Sequence, residues 1–122
     1  MSRKTLYLLC VFALLGFAAS LIFIPDWFWN LYGSNVSSNG QWAGRFLAFV
    51  ILGNVYLAWK LRGAPPDNAR AKLFSQAQVI QWGLVAIFIA IATLTGVYGV
   101  FAWGTVALSV LFTVLFARDG FR

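Results

Sequence analysis

Four long apolar stretches, separated by short polar segments, make up most of this chain. The stretches cover about residues 5–24, 41–61, 73–96 and 100–117. Each is close to the roughly 20 residues that a helix needs to cross the hydrocarbon core of a bilayer. The pattern predicts an all-α integral membrane protein, in which four spans form an up-down bundle within a single domain.

The first apolar stretch begins like a secretory signal peptide, because Arg3 and Lys4 precede it. The apolar run continues to Ile24, whereas a signal peptide has an apolar core of about 7–15 residues. We therefore expect this segment to be retained as the first span.

A short aromatic segment, residues 25–33, follows the first span. It has Pro at its start and Gly at its end, which predicts a short helix between a start and a stop signal. Trp27, Trp29 and Tyr32 are the side-chain types that favour the headgroup layer, so we expect an interfacial helix anchored by these aromatics. The alternative function of the segment is an aromatic lid over a lipid or a quinone-like ligand.

Composition supports a lipid environment for the four stretches. The chain has 122 residues, of which 61% are hydrophobic and 10% are charged, whereas soluble domains have about 25% charged residues. A chain this short exposes too much of its surface to hide that apolar area in a core. Membrane lipids are thus expected partners.

Most of the positive charge lies in three places along the chain. The net charge is +6, and eight of the nine Lys and Arg residues lie before span one, in the second loop or in the tail: Arg3, Lys4, Lys60, Arg62, Arg70, Lys72, Arg118 and Arg122. With four spans, these places share one side of the membrane, and cations mark the cytoplasmic side. We expect a multi-pass protein of the bacterial inner membrane with both termini in the cytoplasm. The charge is explained by topology and anionic lipid, and nucleic acid is not an expected partner.

Most catalytic and metal-binding chemistry lacks its usual residues here. The sequence contains no His, no Glu and a single cysteine, Cys10. Imidazole ligands, Ser–His pairs, cysteine-ligated metal clusters and carboxylate proton relays within a span are therefore excluded. We expect a protein that is not an enzyme and holds no cofactor through side-chain metal ligation. Its aromatic surface can still pack on lipids, quinones or pigments.

Arg45 is the one cation inside an apolar stretch, near the end of span two that follows the first loop. A buried cation in a membrane is costly, by at least about 2.5 kcal/mol near the bilayer centre. Asp26 lies at similar depth at the end of span one, so an Asp26–Arg45 ion pair is one expectation. The other is an arginine that reaches lipid phosphate.

Three amides occupy the interior of spans two and three. Asn54 lies six residues before Lys60, and Gln78 lies six residues after Lys72, so the two reach similar depth on antiparallel helices. We expect Asn54 to pair with Gln78 or Gln81 across the two spans, which sets their register. A polar pocket for a ligand headgroup is the alternative.

Several short motifs resemble those of small bacterial four-helix membrane proteins of the DoxX-like type. The motifs are Pro25 with Leu31-Tyr32-Gly33, Gly44-Arg45-Phe46 with Gly53, Leu94-Thr95-Gly96, and Trp103. Relatives often have Ala-Arg in place of Gly44-Arg45. The resemblance implies a four-helix bundle; most such proteins have no assigned activity, and some are linked to oxidoreductase complexes.

Two functions are consistent with this sequence. The first is a non-catalytic accessory subunit that packs its apolar and aromatic surface against a larger membrane complex, respiratory or photosynthetic. The second is a small carrier or lipid- or quinone-binding protein with a polar site near Arg45 or Asn54.

Overall fold

The computed structural model describes residues 1–122 as five α-helices without a β-strand. The helices are α1 (Arg3–Phe23), α2 (Pro25–Leu31), α3 (Ser38–Leu61), α4 (Ala69–Leu94) and α5 (Ala102–Gly120). All except the seven-residue α2 are long and apolar enough to cross a membrane. The all-helical fold and its four candidate spans agree with the prediction.

Helix ends extend beyond the apolar stretches because polar residues cap them. The side chain of Ser37 accepts a hydrogen bond from the backbone N–H of Gly40 at 3.2 Å, so α3 begins three residues before the predicted position 41. Asn68 caps α4 in the same way, accepting from the N–H of Ala71 at 3.0 Å. Such caps satisfy N–H groups that have no partner within the helix.

Two glycines permit the turns at one end of the molecule. Gly33 and Gly96 have φ angles of 68° and 83°, a left-handed region that side chains with a Cβ rarely adopt. The first follows α2 and the second ends the helical stretch of α4. The N–H of Gly99 then donates to the carbonyl of Tyr32 at 2.8 Å, which joins the two turns.

The four long helices associate mainly as two pairs. α1 packs along α3 and α4 packs along α5, while α1 also touches α2 and α5, and α3 touches α4 only locally. The two helix pairs contact each other at both ends of the bundle, which we call the charged end and the aromatic end. The charged end contains the start of α1, the α3–α4 loop and the end of α5, which meet through Arg3. The aromatic end contains α2 and the α4–α5 turn.

The buried core consists of two clusters, one toward each end of the bundle. One cluster fills the half toward the charged end and contains Leu6, Tyr7, Cys10, Val11, Leu14, Ala58, Phe74, Trp82, Phe112 and Phe116. The other fills the aromatic half and contains Ala18, Leu21, Phe28, Tyr32, Ala48 and Ala102. α1 supplies residues to both at spacings of three and four, so it is the helix on which the two pairs meet.

Replacing Gly120 by Ala is expected to destabilise the protein. The added Cβ would lie 3.0 Å from the backbone nitrogen of Gln76 and 3.1 Å from the Cβ of Ser75, and backbone atoms cannot move aside as a side chain does. Overpacking of this kind costs about 1–3 kcal/mol. Thermal denaturation in mild detergent measures the loss.

Gly104→Ala is the matched control, because it lies on the same helix with no atom within 4 Å of the added Cβ. Ala is favoured over Gly in a helix by about 0.5–1 kcal/mol, so this variant should be neutral or slightly stabilised. Equal stability of the two variants would contradict the close approach of α4 and α5.

Candidate functional site

The amide contact expected between spans two and three is formed in the structure. Asn54 on α3 donates through Nδ2 to Oε1 of Gln81 on α4 at 3.2 Å. Gln78 donates to Oδ1 of Asn54 at 3.5 Å, and its own Oε1 accepts from the indole N–H of Trp82 at 3.1 Å. Gln78 is buried, whereas Asn54 and Gln81 are partly exposed. The amides therefore join α3 to α4, and the Asn54–Gln81 pair is partly exposed at the surface of the protein.

The expected ion pair between Asp26 and Arg45 is not formed. The carboxylate of Asp26 accepts instead from the Gln41 amide at 2.5 Å, and the Nε of Arg45 donates to the carbonyl of Ile22 at 3.2 Å. The Arg45 guanidinium also lies 4.7 Å from the ring centroid of Trp42. Both side chains still tie the α1–α2 corner to α3, because Asp26 bonds to Gln41 of α3 and Arg45 of α3 bonds to Ile22 of α1.

The three predicted interfacial anchors have different environments. Trp27 is more than half exposed, as an anchor in a headgroup layer would be. Trp29 is half-buried over Gly44, and its indole N–H is buried without a hydrogen-bond partner. The sequence predicts Tyr32 as a third interfacial anchor, and the structure places its side chain in the buried core.

Tyr32 instead joins α2 to the start of α5. Its hydroxyl lies 2.5 Å from the hydroxyl of Thr105, and its ring meets those of Phe28, Tyr98 and Phe101 at centroid distances of 5.0–5.5 Å. Burial raises the pKa of Tyr32 above its usual value, which keeps the hydroxyl protonated and able to donate. Tyr32 therefore holds the aromatic segment against the start of α5.

A buried ion pair closes the charged end. Nε of Arg3 donates to Oδ1 and Oδ2 of Asp119 at 3.1 and 2.9 Å, and each side chain is only 4% exposed. The two terminal nitrogens of Arg3 donate to the carbonyls of Ala64, Pro65 and Pro66 in the α3–α4 loop. All three guanidinium nitrogens therefore have partners, which is what a buried charge requires.

Two hydroxyl groups extend the hydrogen bonds of Asp119 into the bundle. Ser75 on α4 donates to Oδ2 of Asp119 at 2.6 Å, and the Tyr7 hydroxyl lies 2.6 Å from Ser75 Oγ. Tyr7 also donates to the carbonyl of Ala71 at 2.8 Å. At the outer rim, Arg122 donates to Oδ1 of Asp119 at 2.6 Å and is about half exposed. This network, from Arg122 to Tyr7, connects α1, α4 and α5.

Sequence reasoning missed this network because it treated the flanking charges only as topology markers. The available signal was Asp119, one of three acidic residues and the only one within two residues of a predicted span end on the cationic side. An acidic residue among cations at the end of an apolar helix can select one of them as a buried partner. Which cation it selects depends on the fold, since Arg3 is 116 positions away.

The described polar groups mainly satisfy one another. No group of three or more His, Cys, Asp or Glu side chains is placed to hold a metal ion, and Cys10 is a buried free thiol. Arg3, Asp119, Ser75 and Tyr7 form a hydrogen-bonded set that fixes helix positions, with Arg122 at its exposed rim. The α3–α4 amides and a cavity beside Asp119 are accessible to other molecules.

No protein-family model, curated protein or solved structure matches this chain. The resemblance to DoxX-like proteins therefore stays a prediction.

Asp119→Asn is expected to lower stability by about 3 kcal/mol or more, since it leaves the buried Arg3 cation without a counter-charge. The exposed Asp67, which has no hydrogen-bond or ion-pair partner, provides the control substitution Asp67→Asn. Thermal denaturation of both variants in the same detergent separates loss of the ion pair from loss of one negative charge. Equal melting temperatures for the two variants would show that the pair does not stabilise the fold.

Proposed function

We propose that this chain is a non-catalytic integral membrane protein that packs against another membrane protein through α3 and α4. The observation that carries the proposal is the partly exposed amide pair Asn54–Gln81, which lies within two candidate spans. Polar groups facing hydrocarbon are costly, and amides within membranes bond preferentially to other helices. A helix of the partner protein packed over the contact between α3 and α4 would cover these amides.

The large exposed area of α3 and α4 supports the same surface as the interface. Only 17% of the most apolar stretch of α3, and the same share of α4, is buried within the chain, against 39% for α1. α3 also has five exposed aromatic side chains, those of Trp42, Phe46, Phe49, Tyr56 and Trp59. Large aromatic surfaces are enriched in protein interfaces. We expect the partner to belong to a larger complex of the respiratory or photosynthetic type.

The orientation is part of this proposal. Arg3, Pro65 and Asp119 lie together, so the start of α1, the α3–α4 loop and the end of α5 share one end of the bundle. The positive-inside rule assigns that end to the cytoplasm. We propose a multi-pass protein of the bacterial inner membrane with both chain ends in the cytoplasm.

Site-specific photo-cross-linking in the native membrane tests the interface. A photoreactive phenylalanine replaces Phe46 on α3 or Phe88 on α4, whose side chains are 72% and 69% exposed. Phe12 on α1 is equally exposed, at 69%, and provides the matched control. We expect adducts with one defined membrane protein from α3 or α4, and lipid adducts alone from Phe12.

The same samples are run on native gels after mild detergent extraction. A chain that migrates alone or as a small homo-oligomer, with only lipid adducts at all three positions, would overturn the subunit proposal. Retention of a lipid or quinone by that small species would favour a carrier instead.

A further inference from the structure

A cavity of about 440 Å³ opens at the charged end between the first turns of α1 and the last turns of α5. Its lining includes the side chains of Arg3, Arg118, Asp119 and Arg122, together with the apolar Leu6 and Leu115. This volume lies within the range of about 300–1,000 Å³ that is usual for small-molecule sites.

The charges on this cavity favour an anion. Three arginines against one aspartate leave two net positive charges on its lining side chains. Every guanidinium nitrogen of Arg3 already bonds to Asp119 or to a loop carbonyl, and the side chain is only 4% exposed, so Arg3 is not a free ligand. Arg122 uses only Nη2 in its contact with Asp119.

Arg118 is the cation available for binding. It is exposed on the last turn of α5, lines the cavity, and has no hydrogen-bond or ion-pair partner in the chain. Arg118 and the unused donors of Arg122 therefore place two guanidinium groups at the rim of the cavity. Guanidinium donors match the geometry of phosphate oxygens and bind them in pairs.

We propose that this cavity binds a phosphate group, and that an acidic membrane phospholipid supplies it. The cationic rim lies at the end of two candidate spans, while Leu6 and Leu115 line the wall about one turn further in. A phosphate at the rim would therefore leave its acyl chains beside apolar surface. Basic pockets between membrane helices bind acidic lipid headgroups in this manner. The site is separate from the α3–α4 surface and does not depend on a partner protein.

Native mass spectrometry of the delipidated protein in mild detergent tests this site. The probes are phosphatidylglycerol and phosphatidylcholine, added in equal amounts. We expect wild-type protein to retain phosphatidylglycerol preferentially. Arg118→Gln with Arg122→Gln should weaken its binding roughly thirtyfold, since each of the two cations near an acidic lipid is worth about 1 kcal/mol.

The control removes the same charge elsewhere at the charged end. Lys4→Gln with Arg70→Gln takes away two exposed cations that do not line the cavity. This variant should weaken binding by a few-fold at most, because attraction between separated exposed charges is screened by salt. Arg118→Gln alone, which breaks no internal contact, repeats the test without disturbing Asp119. Equal losses in cavity and control variants, or no loss in either cavity variant, would overturn the proposal.

Inorganic phosphate separates the two sources of the anion. If phosphate alone binds wild-type protein and competes with phosphatidylglycerol at equal concentration, the lipid assignment is wrong and the site is one for free phosphate. If phosphatidylglycerol binds while phosphate at the same concentration does not displace it, the apolar wall contributes and the lipid assignment stands.

Discussion

The ion pair between Arg3 and Asp119 determines how the two helix pairs of this protein meet at one end. Removing an arginine and a carboxylate from water is costly, and attraction alone rarely compensates for it. Here the remaining donors of Arg3 bond to three carbonyls, and the carboxylate accepts from Ser75 and Arg122. The added partners come from three segments: the α3–α4 loop, α4 and the tail after α5. The pair therefore has its full set of bonds only where α1, the loop, α4 and α5 are all in place.

The two ends of the bundle are held by different physical means. The charged end depends on directional bonds among few groups, and Gly120 allows α5 to approach the backbone of α4 closely there. The aromatic end depends on ring packing around Tyr32, with the Tyr32–Thr105 contact and the Gly99–Tyr32 backbone bond at its edge. Between the ends, the amides of Asn54 and Gln81 hold α3 against α4, which otherwise touch little.

The sequence was sufficient for the helices and for contacts between neighbouring spans. Hydropathy found all four long helices, and counting residues from Lys60 and Lys72 placed Asn54 opposite Gln78 and Gln81. It was insufficient where several partners competed. Asp26 and Arg45 lie near each other in depth, yet Gln41 and the Ile22 carbonyl are nearer. Tyr32 has the polar hydroxyl of an anchor, but that hydroxyl forms its hydrogen bond with Thr105 of another helix inside the protein. Depth along a helix can be counted, whereas the direction of a side chain around it depends on the assembled bundle.

The separation of Arg3 and Asp119 by 116 positions also bears on how the bundle is assembled during synthesis. Ribosomes add about 5–20 residues per second, so the α1–α3 pair exists for on the order of several seconds before Asp119 is made. Of the partners that Arg3 has in the folded protein, only the loop carbonyls exist during that interval. Arrival of the α4–α5 hairpin is then the event that lets Arg3 become buried.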